Sequence, residues 1–377
     1  MDFPMQTVLS VIGTRPEAIK MTPVVKELER HPDLVRSVVC ATGQHRQMLD
    51  QVLELFHIRP DVDLGVMRVE QMLSELTADL FRGLDGVVRE TRPHWILAQG
   101  DTTTVMVAAI VAYYHGARFG HVEAGLRTGD KRRPFPEEIN RRLADVVADA
   151  FFAPTERARQ ALLREGTNDA EIHVTGNTVI DALMDVAARP YEWSAGPLAA
   201  LPDDKQLVLF TAHRRESFGQ PFRDLCHALR TLAADFAAED VHFVYPVHLN
   251  PNVRAPVNEI LAGVGNVSLI EPLDYLSLVQ LMKRAALILT DSGGIQEEAP
   301  SLGVPVLVMR DTTERPEGVE AGVVRLVGTQ PDRIIDEAQT LLRDPIAHAT
   351  MAGRANPYGD GKAAARIVSV ILADRHS

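Results

Sequence analysis

The sequence predicts an α/β protein built from two Rossmann-like, doubly wound domains facing a central cleft. Three observations carry this. Short apolar runs alternate with longer segments of helical period through nearly the whole chain. The alternation lapses at AARPYEWSAGPLAALPDD (residues 187–204), which is rich in Pro, Gly and Ala and reads as the region of an inter-domain connection. Finally, 377 residues exceed what one hydrophobic core usually supports. The expected domains are 1–177 and 178–360, with 361–377 a C-terminal helix returning to the first.

In the first half, residues 8–12, 35–41, 95–98, 119–122 and 150–153 read as buried strands, separated by helical stretches such as 18–30, 75–90, 103–115 and 137–147. In the second half the strands are 207–211, 241–245, 267–270, 287–290 and 304–309. Strand–helix alternation of this kind implies parallel sheets, whose ligands sit beyond the C-terminal ends of the strands. Polar motifs should therefore follow strands, and they do so repeatedly. No tandem repeat or low-complexity tract interrupts them.

Composition narrows the class. Hydrophobic residues make up 46% and charged residues 24%, an ordinary globular balance. A net charge of −12 argues against a nucleic-acid or anionic-membrane partner, so an anionic ligand must be bound by a local cluster of donors. Cys40 and Cys226 are the only cysteines and read as buried free thiols, which suits a reducing compartment. The first residues lack a basic signal region and no apolar run reaches spanning length, so the expectation is a soluble cytoplasmic protein.

The DSGGIQEE segment (residues 291–298) places a Gly-Gly turn between a buried strand and a helix start. Unpaired N–H groups there favour an anion, so the turn of Ser292, Gly293 and Gly294 is suited to a phosphate. Of the two carboxylates in the same turn, Glu297 and Glu298, at least one would serve a ribose beside that phosphate. After the first strand, GTRPE with Lys20 beyond it offers Arg15 and Lys20 to a phosphate or carboxylate, although the same residues also describe a capped helix start. QGDTTT follows the 95–98 strand, where Asp101 is either a functional carboxylate or an N-cap.

HVEAGLRT and PFPEEINR come next. His-x-Glu suggests a zinc deaminase, but the required CxxC is absent. Glu123, at a strand end, is costly to bury without a task. Glu137 and Glu138 suit a helix start equally well. Grouped carboxylates push some of their pKa values up, so Asp101, Glu123 and Glu137 are candidate acid and base partners near neutral pH. In the second half, His213 with Arg214, and then His248, occupy equivalent positions after successive strands. Neither histidine has metal-ligand spacing, so no metal is expected. Arg315, in RDTTERPE after the 304–309 strand, either pairs with a diphosphate or ties up its loop with a neighbouring glutamate.

Together, GTRPEAIK, QGDTTT, HVEAGLRTGD, PFPEEINRRL, TGNTVID, TAHRRES, YPVHLNP and DSGGIQEEAPSLGVPVLVMRDTTERPEG closely resemble the non-hydrolysing bacterial UDP-N-acetylglucosamine 2-epimerases, in the family's order from about residue 12 to about residue 328. The resemblance implies the arrangement of GT-B glycosyltransferases and glycogen phosphorylase, a homodimer, and interconversion of UDP-GlcNAc with UDP-ManNAc. It implies anti elimination of UDP to 2-acetamidoglucal and re-addition, with no cofactor. Asp101, Glu123, Glu137 and His213 match the family's catalytic positions. Arg15, Lys20, Arg214, His248, Ser292, Gly293, Gly294 and Arg315 match substrate or phosphate contacts, and Glu298 the ribose-binding acid. GQHRQM, with Gln44 and Gln47, resembles a segment that helps bind an activating second UDP-GlcNAc in many relatives. Residues 69–73 (VEQML) depart from the usual Gln-Ser/Thr-Leu pattern, and Leu278 stands where many members have Phe. These departures bear on activation and base recognition, not on the reaction class. The alternatives are a hydrolysing 2-epimerase, a retaining glycosyltransferase on the same architecture, and a catalytically dead nucleotide-sugar sensor.

Overall fold

A computed structural model describes residues 5–43, 46–68 and 70–374, without the side chains of 46–48. Gln44, the Gln47 side chain and Val69 therefore lie outside the described residues. The chain divides into one unit of Met1–Ala182 with Tyr358–Ser377 and a second of Leu183–Pro357.

The first unit holds β1 (Gln6–Ile12), β2 (Val35–Ala41), β3 (Val62–Asp63), β4 (Trp95–Gln99), β5 (Arg118–Val122), β6 (Ala150–Ala153) and β7 (Ile172–Val174). They form a sheet in the order β3-β2-β1-β4-β5-β6-β7, with every pairing parallel. The order reverses between β1 and β4, and a doubly wound sheet opens its ligand crevice at such a switch point. β4 reads WILAQ and is buried at every residue, because helices cover both faces of a parallel sheet. Leu9, Val11, Ile96 and Phe119 from the strands pack with Leu80, Leu84, Val105 and Val111 from the helices Leu73–Thr91 and Thr103–His115.

The second unit repeats the plan with β8 (Gln206–Thr211), β9 (Val241–Pro246), β10 (Val267–Ile270), β11 (Ala285–Thr290), β12 (Val306–Val308) and β13 (Val324–Leu326). Their order is β10-β9-β8-β11-β12-β13, again all parallel, with the switch point between β8 and β11. Phe210, Phe222, Phe243 and Leu289 anchor its core.

Two features differ from the sequence reading. The short strands β3, β7 and β13 had no separate signal, since two or three residues at or near a sheet edge carry no period. The stretch expected to connect domains is instead built into the second unit. Gln280 Nε2 donates to the carbonyls of Val186 (3.1 Å) and Arg189 (3.3 Å), Lys283 Nζ to that of Ala187 (2.8 Å), and the Arg284 guanidinium covers the Trp193 ring. At the chain's end, the N–H groups of Ala363 and Ala364 donate to the Asp181 carboxylate of the first unit at 3.1 and 2.8 Å. Among the described residues no helix is long and apolar enough to cross a membrane.

Candidate active site

The loops after β1, β4 and β5 carry the first unit's candidate residues. Thr14 caps the helix Arg15–Glu29, with Glu17 returning the capping-box hydrogen bond, so Arg15 and Lys20 share one helix. Glu17 also accepts from the Gly13 N–H at 2.5 Å. A Cβ at Gly13 would stand 2.6 Å from Thr104 Oγ1, so only glycine lets these loops approach. Burial pushes the Glu17 carboxyl up to about 7, against the opposing Thr102 hydroxyl and the Gly13 and Thr14 N–H groups, while Asp101 adds to the rise. Glu17 had no place among the carboxylates that the sequence singles out. A capping-box glutamate looks like a surface residue until the loop holding Thr102 and Thr104 is folded over it.

Asp101 does not act as an N-cap. Thr102 takes that position, and the Asp101 carboxylate pairs with Arg141 on the helix Glu137–Val147. Asn140 Nδ2 donates to the Asp101 carbonyl at 3.0 Å. Glu123 is 7% exposed and adopts φ 68, a left-handed backbone that a non-glycine residue takes only when its surroundings enforce it. Its carboxylate accepts from Lys20 Nζ at 2.5 Å and from Gln99 Nε2. Because Gln99 of β4 stands opposite Val122 of β5, Asp101 and Glu123 follow neighbouring strand ends. Glu137 opens its helix, and its Oε2 is buried without a hydrogen-bond partner. Glu138 accepts from the N–H groups of Thr128 (3.1 Å) and Gly129 (3.2 Å), fixing the charged loop after Arg127.

In the second unit, Asp291 at the end of β11 is fully buried. Its Oδ2 accepts from the N–H groups of His213 (2.6 Å) and Arg214 (2.8 Å), and its Oδ1 lies 3.3 Å from His213 Nδ1. The ring of His213 stacks on that of His248, with centroids 5.4 Å apart and planes at 9°. Burial lowers the pKa of His213, with the Asp291 charge opposing and His248 and Arg214 reinforcing the fall.

Ser292, Gly293 and Gly294 open the short helix Gly293–Glu298. Arg315 lies over this turn, and a Cβ at Gly293 would stand 3.1 Å from its Cζ. Arg315 Nε donates to Glu297 Oε1 at 2.6 Å, which gives Glu297 the function that the sequence left unassigned: it aims the arginine. Glu314 joins Arg214 (3.3 Å), Arg310 (2.7 Å) and Arg315 (2.8 Å). Burial opposes its charge, but Arg315 and Arg310 hold its carboxyl down at about 2. Glu298 Oε2 accepts from the Tyr275 hydroxyl at 2.7 Å. This unit thus gathers Arg214, His248, the Ser-Gly-Gly turn and Arg315 around sites suited to a phosphate, with a carboxylate in the same short helix.

Residues 26–372 match the sequence profile of the UDP-N-acetylglucosamine 2-epimerase family. The UDP-N-acetylglucosamine 2-epimerase of Escherichia coli O157:H7 is 53% identical over 98% of this chain and 99% of its own. That of Bacillus subtilis is 48% identical over 97% and 94%. Among solved structures, the Neisseria meningitidis UDP-GlcNAc 2-epimerase bound to UDP-GlcNAc superposes with a TM-score of 0.86 at 46% identity, covering 97% of this chain and 100% of that one. A putative enzyme of the same description from Listeria monocytogenes gives 0.93 at 47% identity, with 99% and 97% covered. The glycotransferase of kitacinnamycin, at 12% identity and a TM-score of 0.63 over 99% of both chains, shares the fold alone, which is GT-B-like. A profile match over most of the chain, with near-full-length relatives at about half identity, places this protein in the UDP-N-acetylglucosamine 2-epimerase family of enzymes.

Proposed function

We propose that the enzyme interconverts UDP-GlcNAc and UDP-ManNAc reversibly, without hydrolysis, by anti elimination and re-addition of UDP. The observation that carries this reading is the pair of carboxylates, Asp101 and Glu123, following the neighbouring strand ends of β4 and β5, each held by a cation. A base takes the C2 proton, the C1–O bond to UDP breaks, and the electron pair forms the C1=C2 bond of 2-acetamidoglucal. UDP then adds back to C1 while a proton returns to the opposite face of C2. Two faces require two proton-handling groups, and Asp101 and Glu123 supply them, with Glu137 and His213 as further participants. No redox cofactor enters this balance.

The nucleotide is assigned to Ser292, Gly293, Gly294, Arg214, His248 and Arg315 for the diphosphate and Glu298 for the ribose, with Arg15 and Lys20 as further substrate contacts. Holding UDP tightly has a chemical reason, because this leaving group must stay until it returns. A homodimer in the cytoplasm completes the reading. Product analysis over time tests it. UDP-ManNAc should rise to equilibrium with UDP-GlcNAc from either side, and free ManNAc accumulating in step with UDP would instead mean hydrolysis.

A further inference from the structure

His121 lies on β5, fully buried, two residues before Glu123. Both of its ring nitrogens face oxygen atoms. Nε2 is 2.7 Å from the Gly100 carbonyl, and Nδ1 is 2.5 Å from Asp145 Oδ1. A carbonyl oxygen can only accept. Asp145 could donate only if protonated, yet its Oδ2 accepts from Arg127 Nη2 at 2.6 Å, which favours the carboxylate. A neutral imidazole would therefore leave a lone pair pointing at an acceptor in a buried site, and such a conflict is costly. Only the doubly protonated ring satisfies both contacts.

The charges around the ring agree with this. Asp145 comes from the helix Glu137–Val147, and Arg127 from the loop after β5, itself held by Glu165 at 2.7 Å. The remaining aromatic neighbour, Phe119, is 6.0 Å away and uncharged. Burial works against the imidazolium, but the charge and hydrogen bond of Asp145, with the Gly100 carbonyl, outweigh it and raise the pKa of His121. Asp145 is correspondingly held low by His121 and Arg127, against its own burial.

The contact with Gly100 links this ring to the chemistry. Gly100 directly precedes Asp101, and its N–H donates to the Val122 carbonyl at 3.0 Å. Both polar groups of Gly100 are thus clamped to β5, the N–H by backbone and the carbonyl by His121. We infer that His121 is a positioning residue, held as a doubly donating imidazolium that fixes the turn carrying Asp101 beside the strand end carrying Glu123. The inference rests on the reading of Asp101 and Glu123 as the proton-handling pair, though the state of the ring can be tested apart from it.

The experiment combines ring spectroscopy with kinetics on the full-length enzyme. Protein labelled with 15N-histidine is examined at pH 7.5, one unit above the ordinary histidine value. One histidine should show both ring nitrogens protonated, and His121→Gln should delete that signal. In the same variant, kcat and the rate of deuterium entry at C2 should fall on the order of 100-fold, the cost of a small misplacement of a reacting group. UDP affinity, read by calorimetry as a check of folding, should stay within a factor of two or so, as expected of a residue acting only on the chemical step. Asp145→Asn gives the second arm: the imidazolium signal should be lost at pH 7.5, and kcat should recover as pH falls and the ring reprotonates. A purely structural residue would not produce that pH-dependent recovery. A wild-type His121 that titrates near 6.5 overturns the inference whatever the variants do. So does wild-type kcat in either variant. Wild-type protein that leaves UDP-GlcNAc unchanged would instead sink the assigned reaction, with the ring signal still deciding the state of His121.

Discussion

Lys20 Nζ lies 2.5 Å from Glu123 Oε2, and the two side chains are only 13% and 5% exposed. A buried pair of this kind contributes little net stability relative to an apolar pair, but breaking it strands a charge. Lys20→Met should therefore destabilise the fold by about 3–5 kcal/mol. The double variant Lys20→Met/Glu123→Gln should recover part of that loss, because no buried carboxylate is left without its cation. Urea unfolding of the four proteins in a double-mutant cycle checks this, and strict additivity would contradict it.

Glu123→Gln also separates chemistry from binding. It should lower kcat by roughly 100- to 10,000-fold, the span of a lost general acid or base. UDP affinity should change far less, since Glu123 is not among the residues proposed to hold the nucleotide. An equal loss in UDP binding, measured by calorimetry, would place Glu123 among the binding residues instead.

Glu17 gives a pH dependence of stability with a definite sign. Its folded pKa, about 7, lies above its unfolded value of 4.5, so between these values the folded state binds more protons. Stability should fall as pH rises through that window, and the penalty, about 3 kcal/mol in full, is present above pH 7. Glu17→Gln keeps an oxygen for the Gly13 and Thr14 N–H groups and removes the charge. Its melting temperature should be flatter than that of the wild type from pH 4.5 to 7, with the variant gaining relative stability at pH 8. Parallel melting curves across that range would refute the assignment.

The acid limb of kcat/KM should report His213. Burial lowers its pKa below the ordinary value of 6.5, and the Asp291 charge is what opposes that fall. Asp291→Asn removes the opposition, so the limb should move to still lower pH. If the limb stayed in place, His213 would not be the group that titrates.

Glu298 should reveal itself through the sugar of the nucleotide. Glu298→Ala is expected to weaken UDP by about 10- to 100-fold, the value of a hydrogen bond to a charged group. It should weaken 2′,3′-dideoxy-UDP far less. Equal losses for both nucleotides in a binding titration would remove the ribose assignment.

Much of this architecture was legible in the sequence because its sheets are parallel and buried on both faces. Continuous apolar runs such as WILAQ and QLVLFT mark the central strands, and polar turns after them mark the ligand end. Strands β3, β7 and β13 were not legible, being too short to show a pattern. Likewise Asp101 looked like an N-cap because capping is a local rule, whereas its partner Arg141 is 40 positions away. His121 entered only as half of a rejected zinc motif, since nothing near it in sequence announces Asp145 or the Gly100 carbonyl. Glu297 gained its task from Arg315, which a separate strand and loop bring back over the Gly-Gly turn. What the sequence withheld in each case was a long-range partner.

At the centre of the proposed mechanism, the C2 proton leaves and returns while UDP is retained. Incubating the enzyme with UDP-GlcNAc in D₂O, without any acceptor, tests it most directly. Mass spectrometry and NMR should find deuterium at C2 of both UDP-ManNAc and the remaining UDP-GlcNAc. Nucleotide sugar that keeps its C2 proton after prolonged incubation would contradict the mechanism.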